Sequence, residues 1–233
     1  MAAFRKALRT LEAYYTHLSR EPVNQSHDIL FPYPAEFKSL EDESTQTICY
    51  TKQFREAGDK EKLIFFGTLA GNPVVRICIK FARRYSKEAH LHCAGLGFAP
   101  KLQGFEALPG GWYMIVMDHL VDYDVLADLP ATERLPRCMV EAIRTQLKTL
   151  HARQMVHGDI RDTNILVRKD DRTKFMIVDF EWGGVEDVTR YPPYMNYTDI
   201  WRPRDARDGR PIKAAHDLEM LDAITETWAA RDS

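Results

Sequence analysis

The stretch "HGDIRDTN", His157 to Asn164, decides how this chain is read. Before it runs "EAIRTQLKTLHARQMV", apolar at helical spacing; after it comes "ILVRKDDRTKFMIVDFEWGG", which alternates and turns like a hairpin. Asp and Asn cap their own turns readily, so taken alone the loop is a polar turn between a helix and a hairpin. Its significance depends on which other groups the chain places in order with it.

Asp159 is a carboxylate able to take a proton from a hydroxyl nucleophile, or to orient one. Asn164, five residues on, offers an amide oxygen to a hard cation. Asp179 follows the strand "FMIV" and precedes the glycines of "WGG", a position from which its carboxylate can point into a cleft. Magnesium takes one or two protein oxygens and completes its shell with phosphate and water, a need that Asn164 and Asp179 meet together. Lys80 ends the apolar strand "VVRICIK", where a solvated lysine is out of place, and supplies the positive partner a phosphate chain requires. Its counter-charge is expected from Glu88, the one acid between Phe81 and Phe105; the alternative is an ordinary exposed helix glutamate.

Around these residues the chain divides into three parts. Residues 1–45 hold a helix with Phe4, Leu8, Leu11, Tyr15 and Leu18 on one face, then a Pro-broken polar connector over 21–45. Residues 46–118 read as strands at 47–54, 62–69 and 74–81, the last two joined at Gly71-Asn72-Pro73. A short helix follows over 86–95, capped by Ser86 and stopped at Gly95, then two strands around Pro109-Gly110-Gly111. That makes a five-stranded sheet with one helix. Residues 119–233 hold an amphipathic helix from Glu133 to His151, the polar loop, the hairpin, an irregular proline-rich stretch over 183–212 and a closing helix.

A net charge of −2 argues against a general nucleic-acid binder, and no apolar run is long enough to span a bilayer. Cys49, Cys78, Cys93 and Cys138 are scattered, which fits reduced thiols in an intracellular, cytoplasmic protein and no disulfide frame or zinc site. The basic N-terminus could be a mitochondrial presequence, but Glu12 and its aromatics favour a helix.

The order of parts resembles the protein-kinase-like superfamily: "RICIK" stands where V-A-I-K would, "HGDIRDTN" for H-R-D-x-x-x-x-N and "DFE" for Asp-Phe-Gly. The likeness runs over roughly residues 46 to 222. It is nearest to the fungal-type kinase-like proteins of mushroom-forming fungi, through "RYSKEAH", "HGDIRDTNIL" and "DGRPIKAAHDLEML". It implies an α+β, two-lobed fold with a small antiparallel-sheet upper lobe and a shortened helical lower lobe. It further implies Lys80 on the nucleotide phosphates paired with Glu88, Asn164 and Asp179 on magnesium, and Asp159 as base. Asp118, His119 and Leu120 would offer backbone hydrogen bonds to adenine, and Asp217 would brace the catalytic loop. The implied reaction moves the γ-phosphoryl of ATP to a hydroxyl, with a protein Ser or Thr as first choice of acceptor.

Three departures from the full pattern matter. The loop that should cover the phosphates, "REAGDKEK", has Gly58 alone, and side chains keep a backbone farther from phosphate than glycines do. "HGD" and "DFE" are shared with aminoglycoside and choline kinases, whereas Arg161 sits where serine/threonine kinases place a lysine near the transferred phosphate. The chain after Asp179 lacks Ala-Pro-Glu and is short for a peptide-docking lobe. A small-molecule kinase and a pseudokinase binding module are the rival readings.

Overall fold

The apolar alternation of residues 74–81 becomes the middle of a six-stranded antiparallel sheet. The computed structural model describes residues 6, 8, 9, 32, 34–54, 62–130 and 136–230, with side chains through residue 226. Most of the expected N-terminal helix, and the segment carrying Gly58, lie outside the described residues. The strands are β1 (Glu36–Lys38), β2 (Thr45–Gln53), β3 (Ile64–Leu69), β4 (Asn72–Ala82), β5 (Leu102–Leu108) and β6 (Trp112–Asp118). Their order is β1-β2-β3-β4-β6-β5. Leu69 pairs with Asn72, so Ala70 and Gly71 form the hairpin turn, with Gly71 at φ +77° where a side chain would be strained.

The sheet has one strand more than the sequence suggests. β1 lies inside the stretch read as connector, so the boundary at 45/46 moves forward to Glu36. Its pattern is only three residues long, too short for periodicity to reveal. Ser39 bridges Gly104 on β5, curling the sheet back toward its far edge. Phe37 lies against Gly104 so closely that a Cβ there would come within 2.1 Å of its ring.

Helix α1 (Lys87–Gly95) follows β4, and the Ser86 hydroxyl accepts from the Ala89 N–H at 3.3 Å as its cap. The positive φ past its end falls at Gly97 (+81°), two residues beyond the expected stop at Gly95. The lower lobe is built on α2 (Arg137–His151) and α3 (Ala214–Ala230). Met139, Ile143, Leu147 and Leu150 of α2 are fully buried, on the face the sequence spacing indicates. They pack with Ala89 and Cys93 of α1, Met220 and Leu221 of α3, and the strands flanking the polar loop.

Those strands are β7 (Tyr123–Val125), β8 (Met155–Val156), β9 (Ile165–Arg168), β10 (Phe175–Ile177) and β11 (Gly184–Val185). β9 and β10 form the expected hairpin, with β7 on its other side, while β11 pairs with β8. Residues Pro34–Ser233 form one compact unit that contains both lobes; Met1–Tyr33 form another. Among the described residues no helix is long and apolar enough to cross a membrane.

Candidate active site

The core that α2 and α3 build holds the polar loop by its backbone. Asp217, at the start of α3, is wholly buried, and its carboxylate accepts from the His157 N–H (2.9 Å) and the Gly158 N–H (2.7 Å). His151 of α2 reaches the same carboxylate at 2.9 Å. Gly158 has a φ of +82°, and a Cβ there would lie 2.9 Å from Ile212 and 3.0 Å from the Trp182 carbonyl, so only glycine passes. Behind the loop, the His157 Nε2–H donates to the Val178 carbonyl (3.0 Å) and Nδ1 accepts from the Asp159 N–H (3.2 Å). His157 is thus a structural hydrogen-bonder.

Asp159 is buried, 4% exposed. Arg161 Nη2 lies 3.0 Å from its Oδ2, and the Asn164 amide donates to the Asp159 carbonyl (2.8 Å) and to Oδ2 (3.1 Å). That commits the nitrogen of Asn164 and leaves its oxygen, the atom a hard cation would use. Arg202 Nη2 lies 3.1 Å from the other carboxylate oxygen, Oδ1.

Across the gap, Lys80 of β4 extends Nζ to Asp179 Oδ1 at 2.7 Å and to Glu181 Oε1 at 2.6 Å. This corrects the expected Lys80–Glu88 pair. Ala89, His90 and Cys93 take the buried face of α1, and Glu88 is exposed, one helical step of about 100° away. The counter-charge comes instead from Glu181, the residue that makes "DFE" depart from Asp-Phe-Gly. Burial works against the charge on Lys80, but the two carboxylates outweigh it and its pKa rises above the ordinary lysine value. Asp179 is half-buried, which works against its charge, yet the Lys80 ammonium holds its carboxyl below the usual range. Burial lifts Glu181 above its usual value; Lys80 opposes this and the neighbouring Asp179 charge reinforces it. One ammonium cannot neutralise two carboxylates, so Glu181 is the one that takes a proton first.

Asp179 sits at φ +71°, a left-handed conformation uncommon outside glycine. Phe180 beside it is fully buried and anchors that turn. The ring of His90 from α1 stacks on it at 4.8 Å and 9°, and His157 meets it edge-on at 5.0 Å. Lys80, Asp118, His119, Leu120, Asn164 and Asp179 all line one cleft of about 270 Å³. Phe66, Met117, Leu166 and Val178 supply apolar walls able to sandwich a flat ring.

Of the three residues expected at adenine, two have their N–H groups engaged: Asp118 donates to the Lys101 carbonyl (3.0 Å) and His119 to the Arg76 carbonyl (3.1 Å). No such bond engages the Leu120 N–H among the described residues, and the His119 ring stacks on Phe66 at 4.2 Å. Glu181 and Arg202 were missed in the sequence, Glu181 because it was read only as a lost glycine. Arg202 lies 43 residues from its partner in an irregular stretch that carries no local signal. Among the described residues no group of three or more His, Cys, Asp or Glu side chains is arranged to hold a metal. Asn164 and Asp179, which line the same cleft, are oxygen-bearing groups of the kind a magnesium ion that also binds phosphate could use.

A six-stranded sheet over a helical lobe, with a lysine from the sheet meeting an aspartate after the loop–hairpin unit, is a known architecture. The fold is α+β and protein-kinase-like. The chain is similar to the solved structure of the Cydia pomonella granulovirus kinase PK-1, with TM-score 0.58 and 17% identity over 72% of this chain and 66% of that one. It is similar also to vaccinia related kinase 3, with TM-score 0.57 and 16% identity over 85% and 68% of the two chains. The chain thus spans about two thirds of the length of each kinase. Residues 109–191 match the model of the lipopolysaccharide kinase (Kdo/WaaP) family, a stretch running from the β5–β6 turn through the polar loop and Asp179. No curated protein sequence matches the chain.

Proposed function

We propose that this kinase-like protein is a phosphotransferase that moves the γ-phosphoryl of ATP to a hydroxyl. The observation that carries the reading is the 2.7 Å contact of Lys80 with Asp179 across a cleft that Asn164 also lines. Adenine lies between Phe66, Met117 and Leu166, with the Leu120 N–H as donor, and the phosphates meet Lys80. Asn164 and Asp179, with Glu181 beside them, would hold magnesium, which supplies charge neutralisation on the phosphates. Asp159 orients the acceptor hydroxyl and takes its proton, and Arg161 stands beside it to face the transferred group. Transfer of this kind rests on positioning and charge rather than on covalent chemistry by the protein.

Arg161 beside Asp159 favours a protein Ser or Thr acceptor. The match of residues 109–191 to the lipopolysaccharide kinase family favours a non-peptide hydroxyl as the second reading. Incubation with γ-labelled ATP and magnesium, with label traced to protein and to small molecules, separates them. Asp159→Asn is expected to lower transfer at least about 100-fold while nucleotide affinity stays within about twofold. Undiminished transfer by that variant removes the base assignment.

A further inference from the structure

Arg202 has no place in the scheme above, yet it is a buried cation beside the reacting carboxylate. It comes from the irregular stretch between β11 and α3, and its side chain is 2% exposed. Burying a guanidinium costs several kcal/mol unless its charge and donors are satisfied. Here the satisfaction is narrow. Nη2 meets Asp159 Oδ1 at 3.1 Å, Nη1 lies 3.9 Å from the Met220 sulfur, and Nε is buried with no hydrogen-bond partner among the described residues. Trp182, two residues beyond Phe180, presents its ring 4.6 Å from the guanidinium carbon. Asp159 is the one carboxylate within ion-pair distance of Arg202 among the described residues.

We propose that Arg202, backed by the Trp182 ring, is a positioning residue that fixes the plane of the Asp159 carboxylate and assigns its Oδ1 to the acceptor hydroxyl. An ionised carboxylate has about four acceptor positions. On Oδ2 both are taken, by Arg161 and the Asn164 amide; on Oδ1 Arg202 takes one. The acceptor hydroxyl thus meets Oδ1, next to a buried cation that keeps the carboxylate from rotating. The same contact ties the stretch before α3 to the catalytic loop, so acceptor-side residues and the base move as one piece. Arg161, 24% exposed, does not duplicate this, because solvent reaches it and it holds the opposite oxygen. This role rests on the proposed phosphoryl transfer.

The test uses the full chain and reads ADP formed from Mg-ATP, a readout that counts transfer to any acceptor, water included. Arg202→Met is expected to lower kcat about 10- to 100-fold, the scale of a misplaced reacting group, with the KM for ATP within about twofold of wild type. Arg202→Lys, which keeps the charge but not the planar fork, should recover part of the loss. In an Asp159→Asn background, Arg202→Met should cost nothing further, because the arginine acts through that carboxylate. Should Arg202→Met fail to fold, Arg202→Lys carries the test: a fall in kcat of about threefold or more at unchanged KM supports the role, and wild-type kcat overturns it. A wild type that turns over while Arg202→Met matches it, or losses that multiply with Asp159→Asn, overturns the positioning role and leaves the transferase standing. A wild type that forms no more ADP than Asp159→Asn overturns both.

Discussion

Acidification should loosen the seat of Phe180 through a single buried ring, that of His90. His90 is fully buried on α1, its Nε2–H donates to the Pro100 carbonyl at 2.7 Å, and its Nδ1 accepts from the Tyr85 hydroxyl at 2.8 Å. Burial lowers its pKa to about 4; the Pro100 carbonyl opposes the shift and His157 adds to it. In the unfolded chain the ring titrates near its ordinary value of about 6.5. Between those two values the unfolded state binds the extra proton, so the stability contributed by a neutral His90 is complete above about pH 6.5 and is lost as pH falls toward 4. The gap of about 2.5 units corresponds to about 3 kcal/mol at most, and to about 2 kcal/mol between pH 7 and pH 4.5. That is a large share of the 5–15 kcal/mol, roughly, that holds a typical domain folded.

Urea unfolding of wild type and His90→Gln at both pH values reads the effect. Wild type should lose about 2 kcal/mol more than the variant on acidification, since glutamine does not titrate. Losses that agree within about 0.5 kcal/mol would refute the reasoning, because carboxylate titrations are common to both proteins. The same protonation places a charge under Phe180, so nucleotide affinity should fall over the same pH range.

Two further outcomes test the support of the polar loop. Asp217→Ala leaves the His157 and Gly158 N–H groups buried without an acceptor, and should cost about 3 kcal/mol or more in chemical denaturation. Gly158→Ala forces a Cβ into a +82° backbone against Ile212 and the Trp182 carbonyl; a loss of about 2 kcal/mol is expected, and a neutral result would show that the loop relaxes freely.

What the sequence reveals of this protein follows the range of its signals. Asp159, Asn164 and Asp179 are legible because each sits at a fixed offset in one loop–hairpin unit, and Lys80 because a charge interrupts an apolar strand. The α2 face was legible from its period. Glu88 misled because being the sole acid nearby says nothing of helix phase, and Ala89, His90 and Cys93 set the phase that turns it outward. The His90 and His119 rings are both packed, on Phe180 and on Phe66. β1 escaped because three residues between prolines and acids carry no alternation. Arg202 escaped because its contact is made only once α3 and the polar loop have packed.

The central claim is that Lys80 and the oxygen groups facing it form a Mg-nucleotide site. Calorimetric titration of wild type and Lys80→Met with a non-hydrolysable ATP analogue, with and without magnesium, tests it most directly. Saturable, magnesium-dependent binding by wild type that weakens at least about tenfold in Lys80→Met, or about 1.4 kcal/mol, is the expected result. No saturable binding at millimolar analogue, or equal affinity in the two proteins, would contradict it.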